Sequence, residues 1–177
     1  MVVLVAIVKD VTPRNQRINN KGINMKNIGA IVATNFEKSL EFTLRWEGGL
    51  NFDKDDPGGE TKYGISHRAY PDVNIKDLSR EQAATIYKND YWDVMGCANR
   101  SGAMACVVFD TAVNCGIART TLWLEESRTP EEMLAHRKAH YETLAKKKPL
   151  MAKFLKGWMN RLNALHKELE KFTPQPG

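Results

Sequence analysis

The segment GAMACVVFDTAVN, residues 102–114, constrains this chain more than any other. It carries Met104, Ala105, Val107, Val108, Phe109, Ala112 and Val113 and is nearly all apolar. A helix that is apolar all round is stable in water only when other elements enclose it. These residues are therefore expected to form a central buried helix. Gly116 should stop it, because glycine readily takes the backbone conformations that end helices. Asp110 lies inside the segment, and a carboxylate buried without a partner is costly. Its expected role is a structural ion pair or hydrogen-bonded group rather than a catalyst.

The wrapping elements have their own local signals. Thr34 and Glu37 stand at capping-box spacing before Phe36, Leu40 and Leu44, which predicts a helix running to Trp46 or Glu47 and ended by Gly48 and Gly49. Residues 50–62, LNFDKDDPGGETK, carry turn chemistry, and TKYGIS reads as a strand of a small hairpin. Ser79 and Gln82 cap a helix through Ala83, Ile86 and Tyr87 to Tyr91. Thr129, Pro130 and Glu132 take the N-cap, first-turn and N3 positions of another, through Met133, Leu134 and Tyr141. Pro149 opens a last helix with Phe154, Trp158, Leu162, Leu165 and Leu169 as an apolar stripe. The fold class expected is mainly α, with a small β-hairpin element after the first helix. Residues 1–33, dense in Asn, Lys and Arg, read as a flexible N-terminal extension, and 34–177 as one organised domain.

Charge and cysteine usage narrow the function classes. Lys plus Arg is 26 and Asp plus Glu is 21, a net +5 that suits an anionic partner such as nucleic acid, phospholipid or cell wall and equally serves solubility. No run reaches the ~18–20 apolar residues of a membrane span, so no stable membrane insertion is expected. Val2–Val8 is apolar but short and lacks a basic flank, so it does not read as a signal peptide. Cys97, Cys106 and Cys115 read as reduced, buried thiols, and their spacing is not that of a zinc site. His136 and His140 are four apart on a helix, but no third ligand accompanies them, so they read as a solvated face and no metal is expected. Lys146, Lys147 and Lys148 read as a solvated helix end, with a salt-sensitive hold on the anionic wall as the alternative.

The chemistry-bearing segment is Arg45-Trp46-Glu47-Gly48-Gly49, followed by Asp53, Asp55, Asp56, Gly58, Gly59 and Thr61. Glu47 falls at a predicted helix C-terminus, where the macrodipole disfavours a carboxylate. Trp46 and the apolar helix face add desolvation, while Arg45 would oppose both if it reached the group. A carboxylic acid that keeps its proton is what general-acid cleavage of a glycosidic bond requires. Asp56, nine residues on, can face Glu47 across a cleft if the loop folds back. The bland alternative is a solvated helix end followed by an ordinary Asp-Pro-Gly-Gly turn.

The segment EGGLNFDKDDPGGETKYGIS resembles the signature of the glycoside hydrolase family 108 lysozymes: Glu-Gly-Gly, an Asp-Pro-Gly-Gly turn, then Thr, Gly, Ile and Ser or Thr. EQAATIYKNDYWD, VVFDTAVNCG and FLKGWMNRL resemble its later motifs in the same order, so the likeness spans about residues 36–165. The resemblance implies a lysozyme-like helical fold. It also implies cleavage of the β-1,4 bond between N-acetylmuramic acid and N-acetylglucosamine in peptidoglycan, with no cofactor and with the catalytic acid at Glu47. The spacing of Glu47, Asp56 and Thr61 is similar to that of phage lysozymes built on a Glu-Asp-Thr set, which implies a water-positioning role for Asp56 and a supporting one for Thr61. Tyr63, Tyr91 and Asn114 are the expected substrate contacts on family position; Trp92 is a further cleft candidate and His67 a rim candidate. Tyr87 and Trp158 read as core.

Two departures stand out: Leu50 replaces the usual Tyr after Glu-Gly-Gly, and the stretch after VNCG is short. They keep open a catalytically weak peptidoglycan-binding relative. A basic nucleic-acid-binding domain rests on charge alone and has no reading motif. The resemblance extends to muramidases of phage lysis and of toxin export. It implies a chain made in the bacterial cytoplasm that acts on the wall or in the periplasm, with peptidoglycan glycan strands as partner, no nucleic acid, and a monomeric state.

Overall fold

The computed structural model describes residues 33–47 and 61–172. The predicted extension, Gly48, Gly49, Leu50, Asp56 and the Asp-Pro-Gly-Gly turn lie outside the described residues. The element order is α1 (Asn35–Glu47), β1 (Thr61–Lys62), β2 (Ile65–Ser66), α2 (Arg80–Tyr87), α3 (Gly102–Cys115), α4 (Ile117–Glu126), α5 (Pro130–Lys147), α6 (Pro149–Ala152) and α7 (Leu155–Leu169). The expected class, helical with one small hairpin after the first helix, is what the chain adopts.

The helix starts are set by the predicted caps. Thr34 Oγ1 accepts from the Glu37 amide at 3.2 Å while Glu37 Oε2 accepts from the Thr34 amide at 2.7 Å. Ser79 with Gln82 and Thr129 with Glu132 form the same reciprocal box at α2 and α5. Each box satisfies amides that a helix start leaves without intrahelical partners.

α3 is the axis of the fold. Ala105, Cys106, Val107, Val108, Phe109 and Ala112 are fully buried, and α1, α4, α5 and α7 pack against the helix. Phe109 meets Trp92, Phe36 and Tyr87 edge-on, with ring centroids 5.6, 6.0 and 6.2 Å apart. Aromatic quadrupoles favour this geometry. Trp92 is thus a core residue here rather than part of a cleft wall, and Tyr87 and Trp158 are core as expected.

Two local readings need correction, and one helix was not assigned. The helix that starts at Ser79 continues past Tyr87 as one wide turn, Lys88–Trp92. The last helix is interrupted: Pro149 opens only the short α6, and α7 restarts at Leu155 with Trp158, Leu162, Leu165 and Leu169 buried. The stretch after Gly116 is a full helix, α4, that no cap signal announced, since Gly116 at φ +88° offers no side chain to cap it.

The cysteines are free and buried as expected. The histidines are not a solvated face. Both flank Trp123, with His136 stacked on it at 6.2 Å and His140 tilted at 5.6 Å. Among the described residues no cluster has the makings of a metal site.

Candidate active site

Glu47 is the last residue of α1, and its side chain is buried. The hairpin closes directly on it. Tyr63 and Gly64 are the two central residues between the paired Lys62 and Ile65, and both have positive φ, +54° and +77°. A two-residue turn of this hand matches the twist of the flanking strands. A Cβ on Gly64 would stand 2.8 Å from Glu47 Cβ and 2.8 Å from the Tyr87 hydroxyl. Glycine is therefore required twice at this point, for its conformation and for the approach. The Tyr87 hydroxyl donates to the Tyr63 carbonyl at 2.7 Å and pins the turn to α2.

The cation that meets Glu47 is not its neighbour in sequence. Arg45 turns away to Glu168, at 2.8 Å. Arg161, from the middle of α7, donates from Nη1 to Glu47 Oε1 at 2.7 Å. The other edge of the same guanidinium holds Asp110, with Nη2 to Oδ1 at 2.7 Å and Nε to Oδ2 at 3.2 Å. Asp110 also accepts from Thr43 Oγ1 at 3.0 Å and from Arg137 Nη1 at 2.7 Å. Arg137 Nε donates to the Tyr141 hydroxyl at 2.7 Å, and that hydroxyl donates to Asn114 Oδ1.

Two carboxylates and two guanidiniums thus alternate from the end of α1 through the core, and their formal charges cancel. Burial pushes the Asp110 carboxyl up. Arg161 and then Arg137 outweigh it and hold the group well below the usual carboxylate range. Burial likewise works against charge on Arg161, but Asp110 and Glu47 override it and its guanidinium stays charged. Asp110 is therefore the structural ion-pair member the sequence pointed to.

The tyrosines near Glu47 are held neutral. Burial first and the Glu47 charge second push Tyr87 well above its ordinary value. Burial, Asp90 and Glu47 push Tyr91 up to about 12. Tyr91 is buried against Tyr87, and Tyr63 is half-buried at the hairpin turn. Thr61 begins β1 and is buried. Asn114 is buried at the far end of the charge network, under Tyr141. His67 is exposed beyond β2. Among the predicted residues, Glu47, Tyr63, Tyr87 and Tyr91 share one neighbourhood, while Asn114 joins them through the Asp110 network.

Sequence reasoning passed over Arg137, Arg161 and Thr43, and read Tyr141 only as a helix position. A signal existed for the arginines. Arg161 lies three residues after Trp158 and four before Leu165, and Arg137 lies four after Met133 and four before Tyr141. Both are cations on the core-facing phase of their helices, in a chain whose central helix carries an unpaired-looking Asp110.

No curated protein and no solved structure matches the chain. A family model does: residues 40–116 match the family described as glycosyl hydrolase 108. The matched segment holds Glu47, Asp56, Thr61, Tyr63, Tyr91, Asp110 and Asn114, and it ends at the glycine that stops α3; Arg137 and Arg161 come from the chain beyond it. Over this segment, which is less than half of the chain, the protein is similar to glycosyl hydrolase family 108, and the likeness supports a lysozyme-like glycoside hydrolase acting on peptidoglycan.

Proposed function

We propose that the chain is an N-acetylmuramidase that hydrolyses the β-1,4 bond between N-acetylmuramic acid and N-acetylglucosamine, with Glu47 as general acid. The observation that carries the reading is the placing of Glu47: a buried carboxylate at a helix end, closed over by the hairpin and held by a guanidinium that is itself held from the core. Catalytic carboxyls need a fixed position within hydrogen-bond reach of the oxygen they protonate.

In this reading the Glu47 carboxylate, ion-paired with Arg161 in the free chain, takes up a proton from solvent before turnover and transfers it to the glycosidic oxygen as the C1–O bond breaks. The bonding pair leaves with that oxygen, and positive charge develops at C1. A water adds at C1 and gives up a proton to a carboxylate. Asp56 orients that water and Thr61 supports it. Tyr63, half-buried at the hairpin turn, contributes contacts to the sugar chain, and the buried Tyr91 and Asn114 support the site from behind. Arg161 keeps the Glu47 carboxyl in one orientation, and Asp110 keeps Arg161 in place. Phage lysis and wall opening for protein export both use this chemistry.

The test is Glu47→Gln on purified peptidoglycan, with the products identified by mass spectrometry. We expect wild type to release muropeptides with new reducing N-acetylmuramic acid ends and the variant to release on the order of 1000-fold less, in line with the ~10²–10⁴ that a positioned acid contributes. Undiminished release by a clean preparation of the variant removes the assignment. Binding to walls without any product from wild type identifies a non-hydrolytic relative.

A further inference from the structure

The corner where α5 passes through α6 into α7 takes no part in the site around Glu47. Lys146, Lys147, Lys148, Lys153 and Lys156 crowd into this corner, and residues 143–167 contain no Asp or Glu. All five lysines are exposed, and among the described residues none is paired with a carboxylate. At the tip stands Leu150, 80% exposed, more than any other large hydrophobic side chain among the described residues. Behind it Met151, Phe154 and Leu155 are half-buried against the core, with Lys153 Nζ 5.0 Å from the centre of the Phe154 ring.

The two features ask for the same occupant. Five unneutralised ammonium groups attract any polyanion, but an anionic polymer in water gains nothing from an exposed leucine. A bilayer with anionic headgroups takes both. Its phosphates meet the lysines, whose stems lie along apolar surface while their charged ends stay wet, and the headgroup–acyl boundary takes the leucine. No described helix is long and apolar enough to cross a membrane, so the contact is peripheral.

We infer that the α5–α6–α7 corner is a docking surface for anionic phospholipid bilayers, with Leu150 inserting at the headgroup boundary among the surrounding lysines. The inference does not depend on the muramidase reading, since it uses none of the residues around Glu47.

The experiment is sedimentation of the full chain with vesicles of phosphatidylcholine and phosphatidylglycerol in equal parts, against vesicles of phosphatidylcholine alone. Wild type should bind the first and not the second, and high salt should release it. Each lysine near the surface weighs roughly fivefold, so K146Q/K147Q/K148Q should lower partitioning on the order of 100-fold. Leu150→Ser should lower it roughly 10-fold, as loss of a buried leucine does. Leu150 is exposed, so this variant should fold like wild type, and circular dichroism checks it; if the triple variant fails to fold, Leu150→Ser and the salt release still decide the matter. Absence of binding to the anionic vesicles overturns the inference, as does binding that none of these changes weakens. Sensitivity to the lysines without sensitivity to Leu150 overturns it too and assigns the corner to a wall polyanion, which binding to purified teichoic acid would then display.

Discussion

Asp110 on α3 accepts two hydrogen bonds from Arg161 on α7, and this pairing leaves Arg161 one free edge, which it turns to Glu47. A residue of the central helix thereby sets where the candidate acid points, with Arg161 as the link between the two carboxylates. Asp110 has its full complement of partners, since Thr43 and Arg137 take its remaining acceptor positions.

Asp110→Asn removes one charge from a buried balanced set and leaves two guanidiniums facing a neutral amide. Breaking a buried pair in this way costs about 3–5 kcal/mol, and thermal unfolding should show it at neutral pH. The pH dependence has a definite sign. The folded Asp110 titrates below its unfolded value, so its stabilisation is complete above the ordinary aspartate range, near 3.9, and is lost as pH falls toward the depressed folded value. The melting temperature of wild type should therefore drop on acidification below about pH 4, and that of Asp110→Asn should depend less on pH there.

Arg161→Lys keeps the charge and discards the fork. One ammonium cannot hold Glu47 and both oxygens of Asp110 in the same plane. We expect a variant that folds with a loss of about 1–3 kcal/mol and releases muropeptides at roughly a tenth of the wild-type rate or less. Chemical denaturation and a turnover assay on the same preparation separate the two effects. A variant that loses stability but keeps its full rate argues against a positioning role.

Gly64→Ala tests the contact between the hairpin and α1. The new methyl would fall on Glu47 Cβ and the Tyr87 hydroxyl in a backbone conformation that costs an L-residue about 1–2 kcal/mol. Stability should fall by at least that amount, and activity should fall with it because the displaced atoms belong to Glu47. Gly96→Ala is the control. It has positive φ as well, but open space at its Cβ, so it should show the conformational cost without the loss of rate.

The thiols offer a test of the core. Burial is the main reason that Cys97 and Cys106 are pushed up to about 12, so neither forms thiolate at neutral pH, and all three cysteines are buried. A thiol reagent added to the native chain should react slowly, at the rate of global opening. In denaturant it should titrate three groups at once. Rapid modification of one thiol in the native chain would mean that the helix carrying it opens separately from the core.

Much of the fold was legible because its signals are local. A capping box needs four consecutive residues, and an apolar stripe needs one helix. Thr34 with Glu37, Ser79 with Gln82 and Thr129 with Glu132 could therefore be read directly, as could the burial of most of residues 102–114, from Ala105 onward. Glu47 was legible for the same reason, through its position at a helix end and its glycine neighbours. The break after α6 and the unannounced start of α4 were not, because no side chain caps either start.

The sequence by itself determined which segments are helices, that α3 must be enclosed, that Asp110 needs a partner and that Glu47 closes α1. Only the tertiary structure decided that the partner is Arg161 with Arg137, that Arg45 turns to Glu168 instead of Glu47, and that Gly64 lies against the candidate acid. The physical reason is one of range. Helix caps and periodicity are settled within a few residues by backbone hydrogen bonding, whereas Arg161 reaches Glu47 and Asp110 across 114 and 51 positions, and such a pairing exists only once packed helices have excluded water and left each buried charge its nearest opposite.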